Sequence, residues 1–86
     1  MPIISRFYGI IIRMFFRDHA PAHFHAEYGE HELIVGLDPI AILNGEAPSR
    51  VRSMVLEWTA LHQQELLENW RRCRQAEPPA PVAPLE

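Results

Sequence analysis

The stretch His23-Phe24-His25-Ala26-Glu27-Tyr28-Gly29-Glu30-His31-Glu32-Leu33-Ile34-Val35-Gly36 decides the fold. Its residues alternate in character with a period of two, and Gly29-Glu30 at its centre supplies a residue able to adopt positive φ where a two-residue hairpin needs one. Such a loop pairs Tyr28 with His31, Ala26 with Leu33 and Phe24 with Val35 on one apolar face. His23, His25, Glu27, Glu32, Ile34 and Gly36 then share the other face.

Working outward, residues 10–17 read as an earlier strand reached through Asp18-His19-Ala20-Pro21-Ala22. Matching its alternation to the hairpin sets Phe16 opposite Phe24, Met14 opposite Ala26 and Arg13 opposite Glu27. Glu27 and Glu32 face each other across the hairpin, so a cation between them is required, and Arg13 is the available one. After the hairpin, Asp38-Pro39 marks a turn, Ile40 to Leu43 a short edge strand, and Asn44-Gly45 the exit from the sheet.

Pro48 suits a first helical turn, and no Pro or Gly interrupts the chain again before Pro78. Residues 48–75 therefore read as one helix. Val51, Met54, Val55 and Trp58 form its core-facing stripe. A rod of that length measures about 40 Å against strands of about 20 Å, so it is expected to overhang the sheet. The overhanging end, with Leu61, Leu66, Leu67 and Trp70, requires cover from Ile3, Ile4, Phe7 and Tyr8, from the tail, or from another chain. The expected architecture is α+β: a small antiparallel meander of three to four strands packed on one long C-terminal helix, with a single domain over residues 1–76. Residues 77–86, with four prolines, read as an extended, solvated tail able to dock but not to build a core.

Composition narrows the function classes. With 48% hydrophobic and 22% charged residues the chain resembles a globular protein, and its apolar runs, such as Ile10 to Ile12, are far too short for a membrane span. No secretion signal is visible, which makes the cytoplasm the expected compartment. The lone Cys73 has no second thiol to join in a disulfide or thiolate zinc site. A net charge of −3 argues against a phosphate-backbone binder, although all eight cations are Arg and five of them group at 50/52 and 71/72/74. The four glycines are dispersed, so no phosphate loop exists, and a single helix offers no helix-turn-helix.

Three groups of residues carry chemistry. His23 and His25 share a strand face with Glu27, and two imidazoles with a carboxylate suit zinc, nickel or iron. The bland alternative is a set of surface histidines with Glu27 neutralised by Arg13. His62, Glu65 and Asn69 fall at helical spacing, a pattern that can orient an imidazole for acid–base work; with Tyr28 and His31 across the sheet they equally make a satisfied polar network. Cys73 lies one turn beyond Asn69, but no Ser, His and Asp constellation or nucleophile elbow accompanies them, and no catalytic residue is assigned. The outer sheet face gathers Ile11, Phe15, His25 and Ile34 within a rim of Arg13, Arg17, Glu27 and Glu32. Together with Trp70 on the helix end, it has the make-up of a partner-binding surface, unless the tail or N-terminus folds over it.

The blocks Ile4-Ser5-Arg6-Phe7-Tyr8-Gly9, Asp18-His19 through His23-Phe24-His25-Ala26 and Tyr28-Gly29, and Leu56-Glu57-Trp58 through Leu61-His62, Glu65-Leu66 and Asn69-Trp70 resemble, in order and spacing, the bacterial family called domain of unknown function 4160. The resemblance implies small stand-alone proteins, frequently encoded beside a member of domain of unknown function 2442 and sometimes described as toxin–antitoxin components or regulators. It supplies no catalytic residue.

Two expectations follow. The leading one is a protein-binding or regulatory module, one component of a two-gene pair. It would be recognised by a cognate protein such as a domain of unknown function 2442 member, or by its own copy as a homodimer, without cofactor, membrane or direct nucleic acid. The competing one is a small metal-dependent hydrolase or nuclease using His23, His25 and Glu27 with a divalent ion.

Overall fold

A computed structural model describes residues 2–86. Five strands, β1 (Ile3–Phe7), β2 (Ile10–Arg13), β3 (His23–Tyr28), β4 (His31–Leu37) and β5 (Ile40–Glu46), form one antiparallel meander in chain order. Two helices follow, α1 (Ser49–Leu61) and α2 (Gln63–Arg74). The α+β class stands, with one strand and one helix more than the sequence reading foresaw.

The hairpin at the centre is as read: β3 and β4 pair His23 with Gly36, Phe24 with Val35, Ala26 with Leu33 and Tyr28 with His31. Gly29 takes φ +58° in the loop. The additional strand arises at Tyr8-Gly9, where both residues have positive φ, 51° and 80°, and Phe7 pairs with Ile10. Two consecutive left-handed residues are what a tight hairpin of this twist demands. The N-terminal apolar residues therefore build the sheet, and cover the helices as part of it.

The strand at residues 10–17 is shorter than expected and two positions out of register. Ile12 lies opposite Ala26 and Arg13 opposite His25. The chain leaves the sheet after Arg13, with Met14 still buried and Phe16 turned out to 43% exposure. Likewise, Asn44-Gly45 is no exit, since β5 continues to Glu46 across a bulge that leaves Leu43 between the pairs Ile42–Val35 and Asn44–Ile34. Gly45 has φ +93°, and a Cβ there would collide with the Glu32 carbonyl oxygen. A collision with backbone cannot be relieved by a rotamer change. Gly45→Ala is accordingly expected to destabilise by at least about 1–2 kcal/mol from its left-handed backbone alone, read as a lowered urea midpoint.

One face of the sheet carries the core. Ile4, Ile10, Ile12, Met14, Phe24, Leu33, Val35 and Leu37 pack with Val51, Val55, Trp58, Leu66 and Cys73 from the helices. Trp58 is fully buried, with Phe7 at 5.2 Å and Phe24 edge-on at 5.7 Å between ring centroids.

The single rod breaks at His62, whose φ of −123° departs from the helix. No Pro or Gly causes this. The buried Thr59 hydroxyl donates to the Val55 carbonyl at 2.6 Å, the back-bond that bends helices. The His62 N–H is shared between the Trp58 and Thr59 carbonyls, and Gln63 Nε2 donates to the Leu37 carbonyl at 2.7 Å, tying the start of α2 to the end of β4. A straight rod of about 40 Å would exceed the 33 Å longest dimension of the molecule. The bend replaces the expected overhang and lets Leu66 and Cys73 reach the core.

The tail docks, as a segment of this composition can, while Glu77, Pro78, Pro81, Ala83 and Pro84 stay exposed. Val82 is buried, and its N–H donates to the Ile4 carbonyl at 2.8 Å. Among the described residues, no helix is long and apolar enough to cross a membrane.

Candidate metal centre

The segment between β2 and β3 reverses the chain and returns Asp18 to the start of β3. There the Asp18 carboxylate meets both histidines of the first hairpin strand: Oδ2 lies 2.9 Å from His23 Nε2 and 3.6 Å from His25 Nε2. One ligand atom from each of the three side chains falls within 4.8 Å of the others. An ion held tetrahedrally at 2.0–2.2 Å by three such atoms would set them about 3.3–3.6 Å apart. The two Asp18 distances, 2.9 and 3.6 Å, are close to that spacing.

The protons on these rings follow from their other contacts. His23 Nδ1–H donates to the Pro21 carbonyl at 2.8 Å, and His25 Nδ1–H donates to Glu32 Oε2 at 3.1 Å. Carbonyl and carboxylate oxygens only accept, so in the neutral imidazole each Nε2 presents a lone pair toward Asp18. The 2.9 Å contact between His23 Nε2 and Asp18 Oδ2 is a hydrogen bond when that nitrogen carries a proton; without it the three ligand atoms converge as lone pairs, which a cation between them would satisfy. His25 Nε2, buried from solvent, has no hydrogen-bond partner.

The surrounding groups hold the ligands in place. The His23 ring stacks at 5.0 Å on Trp70, and Phe15 meets the His25 ring edge-on at 4.5 Å. Burial works to raise the Asp18 pKa. The His19 N–H, which donates to Oδ1 at 2.8 Å, together with the charge and hydrogen bonds of His23 and the contact of His25, outweighs it and holds the carboxyl below its ordinary value. Asp18 retains 23% of its side-chain exposure, which leaves one side of the cluster open to solvent.

Glu27, read from the sequence as the third ligand, is not part of the cluster. Its Oε1 accepts from Arg13 Nε at 3.0 Å. The ion pair was legible in the sequence, but it spans a diagonal because Arg13 lies opposite His25. Asp18, the carboxylate actually present, was read as connector. Its one sequence signal is its place five residues before His23, with Pro21 between them to turn the chain.

The proposed polar network divides into three. His62 Nδ1–H donates to Glu65 Oε1 at 2.8 Å. Asn69 instead grips the tail, its Nδ2 donating to the Ala80 carbonyl and its Oδ1 accepting the Ala80 N–H, both at 2.8 Å. Tyr28 and His31 stack on each other at the hairpin tip, ring centroids 6.4 Å apart.

Of the residues read as a partner-binding surface, Arg13, His25 and Ile34 lie on the outer sheet face and Phe15 packs against it. Trp70 belongs to the cluster wall through His23, with the Arg74 guanidinium over its ring, 5.9 Å from the centroid. Arg17 stands apart in a left-handed turn, its N–H donating to the Cys73 carbonyl at 3.0 Å. Burial pushes the Cys73 thiol up in pKa, which leaves it inert.

No curated protein and no solved structure matches the chain. Residues 9–71, which hold Asp18, His23 and His25, match a family described as Domain of unknown function (DUF4160), and the chain belongs to that family.

Proposed function

We propose that this chain is a small metal-binding domain in which Asp18, His23 and His25 hold one divalent first-row ion and leave further coordination positions open. The observation that carries this reading is the convergence of one ligand atom from each of Asp18, His23 and His25, with a buried His25 Nε2 that has no hydrogen-bond partner. The outer partners support it as well: each histidine donates its second N–H to an acceptor, the arrangement that orients imidazole ligands in metal sites. Three protein ligands with an open side are suited to polarising a bound water for hydrolysis, in keeping with the metal-dependent hydrolase expectation but with Asp18 in place of Glu27.

Cobalt(II) titration of purified protein, followed by visible d–d absorption and elemental analysis, tests the reading. One ion per chain is expected. Glu32→Gln, which weakens the acceptor behind His25, is expected to lower affinity about 10–100-fold, whereas Glu27→Gln leaves it unchanged. Equal losses in both variants, or no stoichiometric binding, would sink the assignment.

A second reading, the protein-binding module, is supported by the outer sheet face. The tail packs at β1 and the helices, leaving Ile11 and Ile34 half-buried and Leu43, which lies over Gly36, 49% exposed. In this reading the cognate protein, such as a domain of unknown function 2442 member of a toxin–antitoxin-like pair, docks beside the metal site and can complete its coordination.

A further inference from the structure

The C-terminal tail is held as a peptide ligand is held. Four hydrogen bonds, all 2.8 Å long, fix it: two between Asn69 and the backbone of Ala80, one from Val82 N–H to the Ile4 carbonyl, and one from Trp58 Nε1–H to the Ala83 carbonyl. Every one of them reads the tail's main chain. Val82 is the one fully buried side chain of the tail and Leu85 packs partly buried against the core, while Pro81, Ala83 and Pro84 remain exposed. Extended, proline-containing peptides are bound in grooves by this combination of backbone pairing and one anchor.

The groove cannot be left bare without cost. With the tail in place Trp58 and Asn69 are 0% and 2% exposed, so removing it would exchange their hydrogen bonds for water and uncover the apolar surface beneath Val82. Clefts flank it on the α2 side, beside Glu65, Asn69 and Arg72, and on the α1 side, beside Glu57, Leu61 and His62. The link is also under tension. Glu77 N–H donates to the Arg72 carbonyl and Ala76 N–H to the Cys73 carbonyl, a helix stop that places Ala76 at φ +59°, where glycine is the usual residue. Straightening the chain here relieves Ala76, and Pro78-Pro79 then projects the tail stiffly away from its own body.

We propose that the groove between β1 and the two helices is a peptide-recognition site, occupied in cis by residues 80–83 and able to take the same segment from a second copy, giving a tail-exchanged dimer. This rests on different residues from the metal centre and stands or falls separately.

Two full-length variants test it. Val82→Asp has an intact groove but a tail that cannot seat; Asn69→Ala has an intact tail but a weakened groove. Each alone is expected to run as a 10.0 kDa monomer in size-exclusion chromatography with light scattering, and an equimolar mixture to give a species of about twice that mass. Mixtures that remain monomeric while both variants keep wild-type circular dichroism would overturn the proposal. Should either variant unfold, a fluorescent peptide of residues 77–86 titrated into wild-type protein decides instead. Saturable binding, lost in the peptide carrying Val82→Asp, supports the site; no binding, or equal binding of both peptides, rejects it.

Discussion

Asp18→Asn is expected to remove most of the thermal stabilisation that a divalent ion confers. A ligand at a hundred times its Kd stabilises the folded state by about 2.7 kcal/mol, which for a domain of this size raises Tm by on the order of 10–20 °C. Loss of the one anionic ligand weakens binding at least as much as loss of an outer partner, about 100-fold. At the same ion concentration that leaves about 0.4 kcal/mol, a shift of a few degrees. Differential scanning fluorimetry with zinc, cobalt and manganese reads the difference directly. The metal-free protein gives an independent check. Because the folded state holds the Asp18 carboxyl below its ordinary value of 3.8, its contribution is present above that pH and is lost as pH falls through the depressed value. Asp18→Asn should therefore flatten the acid limb of the metal-free stability profile. An unchanged zinc shift in this variant would remove Asp18 from the site.

The second large effect is expected at Trp58. Trp58→Ala should cost about 3–5 kcal/mol through the cavity it opens between Phe7 and Phe24. Small domains carry total stabilities near the lower end of about 5–15 kcal/mol, so most of the folded margin would be lost. Trp58→Phe refills part of the cavity while deleting the N–H that holds Ala83. Its loss should be smaller, and tail release, seen as rapid proteolysis confined to residues 77–86, should exceed what the drop in urea midpoint accounts for. Circular dichroism is the suitable probe for global unfolding, since removing Trp58 leaves only Trp70 as a fluorophore. A Trp58→Ala protein with an unshifted midpoint would contradict the placement of this residue at the centre of the core.

The parts of the fold that local chemistry dictates were legible. The hairpin register from His23 to Gly36 follows from alternation and Gly29, and the half of the helix containing Val51, Val55 and Trp58 follows from apolar spacing. What escaped the sequence depended on two segments at once. Tyr8 is not a residue that favours positive φ, so the β1–β2 turn had no signal strong enough to announce itself. The break at His62 comes from Thr59 and Gln63 bonding elsewhere, one of them to a strand twenty-six residues earlier. Asp18 showed no periodic pattern because it lies in a connector, where only the path of the chain decides which side chains meet.

By itself, then, the sequence determined the α+β class, the paired faces of the central hairpin and the placement of two histidines on one strand, because each depends on residues within a few positions of one another. Tertiary structure alone decided that Asp18 and not Glu27 joins those histidines, that the helix bends, and that the proline-rich tail lies against Trp58 and Asn69. Each of those outcomes is a competition between distant partners. Arg13 claimed Glu27, the Leu37 carbonyl claimed Gln63, and the tail backbone claimed the buried amide and indole that nothing nearer could satisfy.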